Sequence, residues 1–216
     1  MILYMSIISI FVVILFIINI FTGITAYTAS TTLLLILGAT AIEFAIDGIF
    51  ASLVHALPNK WFEIDNKFYN VSNGERKFYE KIKIRKWKDK IWELGSLGGF
   101  SKKSLKSRSD KNYLKQFIIE SNKGVLTHFI GCFAGFLALI ILPSKCILSI
   151  SLPIALVNLV LNLPSLFILR YNTPKLLAGY KRLIRNENLK NSQKVQNTTE
   201  NLVETTENLA KNDNVN

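Results

Sequence analysis

Two side chains in the stretch Phe117–Phe129, FIIESNKGVLTHF, could carry out proton transfer: Glu120 and His128. An imidazole titrates near neutrality, so His128 is suited to take a proton from a hydroxyl. Glu120 could orient that ring or stabilise its charge. On one straight helix, however, they are ~12 Å apart in rise and offset by ~80°, too far to touch. A direct pair therefore needs a break, and Gly124 is where one could occur. Without a break, each works with other partners, such as Arg170 or Asn172. A plain helix–helix hydrogen bond is an equally ordinary role for His128.

Binding of phosphate or carboxylate groups has its own candidates. Arg85, Lys86 and Lys88, with Trp87 among them, form one basic patch. Arg170, Tyr171 and Lys175 form another, in RYNTPK. Arginine holds such anions in a planar, bidentate way. For the lysines, simple attraction to anionic lipid is the preferred reading. Glu43 and Asp47 lie one helical turn apart in an apolar run. They are either a proton, ion or substrate contact, or acids near a membrane edge or hydrogen-bonded to a neighbouring helix. Asn158 and Asn162 suit hydrogen bonds between helices. No zinc-ligand spacing, nucleophile elbow or histidine-x4-aspartate pair occurs, so no metal site is expected. The glycines at 95, 98 and 99 lack Walker or Rossmann spacing. Cys132 and Cys146 are expected to be free thiols.

The elements that must position these groups are mostly apolar helices. Half of the 216 residues are hydrophobic, mean hydropathy is +0.28 and the formal charge is +11. The expected fold is all-α: a polytopic membrane protein with about four transmembrane helices, a cytoplasmic amphipathic helical loop and a disordered C-terminal tail. Residues 1–55 hold helices one and two. The first lacks the basic start of a signal peptide and is read as a retained span. The second ends at Pro58. Residues 56–124 are the basic amphipathic segment, with 17 Lys/Arg against 8 Asp/Glu. Within it, the spacing Ile84-Trp87-Ile91 predicts an interfacial helix, or else an amphipathic helix packed on its own domain. Ser109 or Asp110 could cap a helix with the apolar face Leu114, Phe117 and Ile118. Residues 125–169 hold helices three and four, with Pro164 a candidate kink. Residues 170–190 are a basic interfacial segment, and 191–216 a polar tail.

Charge asymmetry orients the chain. The connection between the first two spans carries no charge, and that between the last two carries one lysine. The positive-inside tendency puts the basic loop, the tail and both termini in the cytoplasm, at the cell membrane. Glu120, His128, Arg85–Trp87 and Arg170–Lys175 then face the cytoplasmic leaflet. A soluble basic domain would be needed for nucleic-acid binding, and the apolar spans argue against one.

Three runs, KIRKWKDKIWE (Lys83–Glu93), FIIESNKGVLTHF and NLPSLFILRYNTPKL (Asn162–Leu176), resemble the glycosyl-4,4'-diaponeurosporenoate acyltransferase family of bacterial staphyloxanthin-type carotenoid biosynthesis. LPNKWF (Leu57–Phe62) and Glu75 also fit. The similarity covers Leu57 to Leu183 and omits Glu43, Asp47 and His55. The apolar N-terminal segment and the long polar tail depart from the pattern.

The resemblance implies an integral-membrane O-acyltransferase. It would esterify a sugar hydroxyl of a glycosylated carotenoid with a fatty acyl group, with no bound cofactor. The acyl donor would be a thioester of coenzyme A or acyl carrier protein. His128 would be the base, Glu120 its partner, and Arg170 or Asn172 the oxyanion donor. The basic patches with Trp87 and Tyr171 would bind substrate. Partners are then membrane lipid, the glycolipid acceptor and the acyl donor, with oligomeric state open. Two other readings are kept: a non-enzymatic membrane scaffold or accessory subunit, and a small oligomeric transporter using Glu43 and Asp47.

Overall fold

The computed structural model describes residues 2–91 and 109–213, and every regular element among them is helical. The glycine break at 95–99, Trp92 and the basic residues of 101–108 lie outside the described residues. Four helices are long and apolar enough to cross a membrane.

Helix α1 (Ile2–Thr22) is apolar all round, and its outward side chains, such as Ile10 (60% exposed) and Val13 (55%), have no protein against them. Such a helix is at home in lipid. Asn19 ties it to the rest of the protein by donating to the Ser149 carbonyl at 3.0 Å. Helix α2 (Ala29–Ala56) starts at Thr28, whose hydroxyl accepts from the Thr31 N–H, and stops at Leu57 before Pro58. Pro58 disfavours helical backbone in the residue before it.

Two short helices follow. Helix α3 (Asn73–Lys81) is capped by Ser72, and helix α4 (Ile84–Trp87) follows a break at Lys83, whose φ is 52°. The Ile84-Trp87-Ile91 face packs with Tyr79, Ile168 and Tyr171, while Arg85 and Lys86 point outward. That apolar face is therefore spent on the protein's own core rather than laid along headgroups.

Helix α5 (Lys111–Ala134) begins at an Asp110 cap that accepts from the Asn112 and Tyr113 N–H groups. It runs without interruption through Gly124. A 3₁₀ turn at Gly135–Leu137 and the short α6 (Ala138–Ile141) complete this crossing. After Pro143 a 3₁₀ turn and a π-helical turn at Ile147–Ser151 lead into α7 (Leu152–Asp213). Helix α7 runs through both Pro164 and Pro174. Residues 185–198 are all exposed, and Glu187 among them pairs with Lys111 at the start of α5.

Helices α5 and α7 form the central antiparallel pair. His128 meets Asn162, Gly131 meets Asn158, and Lys111 pairs with Glu187. Helix α2 lies alongside, with Asp47 reaching Asn158 and Asn162. The segment after Pro58 folds over the end of this bundle. There Phe62 is fully buried and its carbonyl accepts from Asn122 Nδ2 at 2.9 Å.

Candidate active site

Because α5 is continuous through Gly124, Glu120 and His128 stand about two turns apart, a rise of ~12 Å. The break that a direct pair requires is not there, since residues 111–134 keep helical bonding throughout. Glu120 instead joins a boundary cluster at the end of α2. Its Oε1 accepts from Lys123 Nζ at 3.1 Å, and its Oε2 lies 3.9 Å from His55 Nδ1. Lys123 is buried, with its ammonium 5.8 Å from the centre of the Phe62 ring.

His128 has different company. Its Nδ1 is 2.9 Å from Asn162 Oδ1 across the α5–α7 seam. The Asn162 amide nitrogen donates to Asn158 Oδ1 at 2.9 Å and to the Asn158 carbonyl at 3.1 Å, and it lies 3.4 Å from Asp47 Oδ2. With the amide so oriented, its oxygen can only accept. In this arrangement it is His128 Nδ1 that donates to the amide oxygen. Asp47, Asn162 and His128 form a hydrogen-bonded chain in which an amide stands between carboxylate and imidazole.

A cavity of about 130 Å³ sits beside this hydrogen-bonded chain. Glu43, Asp47, His128, Asn158 and Asn162 line its polar wall. The opposite wall is apolar and comes largely from α1, including Met5, Ile8 and Phe11. Two glycines make room for the polar wall, Gly131 on α5 and Gly135 in the 3₁₀ turn after it. A Cβ at Gly131 would lie 2.8 Å from Asn162 Oδ1, and one at Gly135 would lie 2.1 Å from Glu43 Oε1.

Arg170 is placed in a second arrangement, nearer the end of the bundle. Its Nε and Nη2 grip the Glu75 carboxylate, and Nη2 and Nη1 also donate to the carbonyls of Asn70 (3.1 Å) and Phe68 (3.2 Å). Tyr79 adds its hydroxyl to Glu75. Burial alone would raise the Glu75 carboxyl, but hydrogen bonds from Arg170 and Tyr79 and the guanidinium charge outweigh it and hold the group below its ordinary value. The same burial pushes the Tyr69 hydroxyl up to about 12. A cavity of about 410 Å³ adjoins this clamp, lined in part by Phe68, Phe78, Phe129 and Phe167.

The remaining sequence candidates are spread along the same end. Lys175 lies 4.6 Å over the Tyr171 ring, and Tyr171 stacks edge-on with Tyr79. Asn172 is half-buried on α7. Trp87 Nε1 donates to the Ile82 carbonyl at 3.0 Å, which fixes its ring in the α3–α4 junction. Lys88 pairs with Asp89 at 3.4 Å. The structure thus joins His128 to Asn162 and Arg170 to Glu75, and separates Glu120 from His128. Among the described residues, no group of three or more acidic, His or Cys side chains could hold a metal ion. Asn162 and Asp47 were not among the sequence's catalytic candidates. The available signal was a pair of acids and a pair of amides, each spaced by four residues inside apolar helices.

The profile of the glycosyl-4,4'-diaponeurosporenoate acyltransferase family matches residues 58–182, more than half of the chain. The chain belongs to this family. No curated protein and no solved structure matches it. The matched stretch includes His128, Asn162, Glu75 and Arg170, so both cross-element contacts are made within the acyltransferase region. It excludes α1 and α2, and with them Glu43 and Asp47.

Proposed function

We propose that this acyltransferase esterifies a sugar hydroxyl of a glycosyl carotenoid with a fatty acyl group, inside a membrane pocket reached from the cytoplasmic leaflet. The observation that carries the reading is the His128–Asn162 hydrogen bond at the wall of a mostly apolar cavity, between two residues of the family's matched stretch. The acceptor is held in lipid and the donor arrives from water as a thioester of coenzyme A or acyl carrier protein. A pocket opening between helices near the headgroups serves both.

In the step itself, His128 Nε2 takes the proton of the sugar hydroxyl as that oxygen attacks the thioester carbonyl. The new C–O bond forms, the C–S bond breaks, and the departing thiolate takes the proton back. Asn162 keeps the imidazole in the required tautomer, and Asp47 and Asn158 keep Asn162 in place. Arg170, held by Glu75, fixes the loop at Phe68–Asn70 over the bundle end. Arg85, Lys86, Lys88 and Lys175 are the cations available to a donor's phosphates, with Trp87, Tyr171 and Asn172 beside them. The basic balance of residues 56–124 supports a cytoplasmic position for both termini.

The test is ester formation by the purified full-length protein in lipid nanodiscs, given glycosyl carotenoid and acyl-coenzyme A. Mass spectrometry should find the acceptor heavier by one acyl chain. If neither acyl-coenzyme A nor acyl carrier protein yields that product, the reading is wrong.

A further inference from the structure

Glu43 is 6% exposed, and neither carboxylate oxygen has a hydrogen-bond partner among the described residues. The neighbouring Asn158 amide nitrogen is directed to the Gly131 carbonyl (3.0 Å) and towards Asp47 (3.4 Å). A buried carboxylate with no donor is costly, and in a membrane span it has no bulk water to satisfy it. The group lines the same cavity as His128. Gly135 lets it lie there, because a Cβ at that position would meet Glu43 Oε1 at 2.1 Å.

We propose that Glu43 receives hydroxyl groups of the acceptor's sugar, so that α2, outside the family's matched stretch, sets the preference for a glycosylated lipid. The proposal rests on the acyltransferase reading for the acceptor's identity. Three features of the cavity fit a polyol on an apolar tail. Its polar wall mixes acceptors (Glu43, Asp47) with amides and an imidazole, and hydroxyls both donate and accept. Its other wall is aliphatic and aromatic, supplied by α1, and suits a hydrocarbon chain. The sugar and the base then share one chamber, as attack by a sugar oxygen requires. A bound metal cation fits less well, because two amide N–H groups already point at Asp47, the second acid of the cluster.

The test is binding, independent of acyl transfer. Full-length protein in nanodiscs is titrated with glycosyl-4,4'-diaponeurosporenoate and with the methyl ester of the same carotenoid acid, followed by the polyene absorption. Wild type should bind the glycosyl form at least about tenfold more tightly, the scale of one or two hydrogen bonds. Glu43→Leu removes a buried polar group that makes no hydrogen bond and should fold at least as well. It should lose that preference while binding the methyl ester as before. Gly135→Ala, which displaces the carboxylate, should do the same. Retention of the glycosyl preference in Glu43→Leu overturns the proposal. So does a sodium-specific, carotenoid-independent rise in wild-type melting temperature that Glu43→Leu abolishes, since the carboxylate is then a cation ligand. Ester formation, measured on the same samples, reports separately on the acyltransferase reading.

Discussion

His128 Nδ1 and Asn162 Oδ1 lie 2.9 Å apart, joining the later part of α5 to the early part of α7. Both helices belong to the antiparallel pair at the centre of the fold, so the imidazole is held by rigid elements rather than a loop. Asn162 is in turn bonded to Asn158 one turn earlier on the same helix. A ring held this way has a fixed tautomer before substrate arrives, which is what general-base chemistry needs.

His128→Ala should lower kcat for ester formation by about 10²–10⁴-fold, the usual worth of a positioned base. The protein should still fractionate with membranes, because the spans are unchanged. Wild-type kcat in this variant would remove His128 from the chemistry.

Asn162→Leu should lower kcat by about 10–100-fold with little change in either substrate's KM. On the proposed mechanism Asn162 acts through His128, so its loss affects the step more than the binding. Gly131→Ala should act in the same direction, since its Cβ would lie 2.8 Å from Asn162 Oδ1. A rise in KM with kcat intact would show that Asn162 contacts substrate instead.

The Glu75–Arg170 clamp should make stability depend on acid. Glu75 is held below its ordinary value of 4.5 in the folded protein. The stabilisation is therefore fully present above about pH 4.5 and is lost as pH falls through the lower folded value. The melting temperature of detergent-solubilised protein should drop across that window, and Glu75→Gln should flatten the drop. Arg170→Ala, which leaves a partly buried carboxylate unpaired, should destabilise by ~1–3 kcal/mol in denaturant titrations.

Single cysteines should report the orientation of the chain. Cys132 and Cys146 are 2% and 0% exposed, so they give little background with impermeant maleimides. Arg85→Cys should label only from the cytoplasmic side, and Lys145→Cys only from the other. Labelling of both from one side would contradict the four-span arrangement.

Much of the fold was legible in the sequence because the bilayer imposes so strict a code. Runs of about 20 apolar residues can only be spans, and Pro58 and Pro143 mark where two of them end. The Asp110 cap and the apolar face Leu114-Phe117-Ile118 follow from local spacing, and both are present. Helix α5 starts at Lys111, well before the apolar run, and its buried polar residues find partners there: Asn122 in the Phe62 carbonyl of the loop folded against it, and Lys123 in Glu120 one turn earlier.

What the sequence determined by itself is therefore the class of the molecule: four helical crossings, a basic loop between the second and third, and family motifs in fixed order. Those properties live in composition and short spacing, which need no partner element. The tertiary structure alone decided that His128 bonds to Asn162 rather than Glu120, that Arg170 is gripped by Glu75, and that Glu43 and Asp47 border the same cavity as the imidazole. Each of those is a contact between helices, set by how three cylinders rotate about their own axes. That rotation is fixed by packing across the whole bundle, and no local spacing records it.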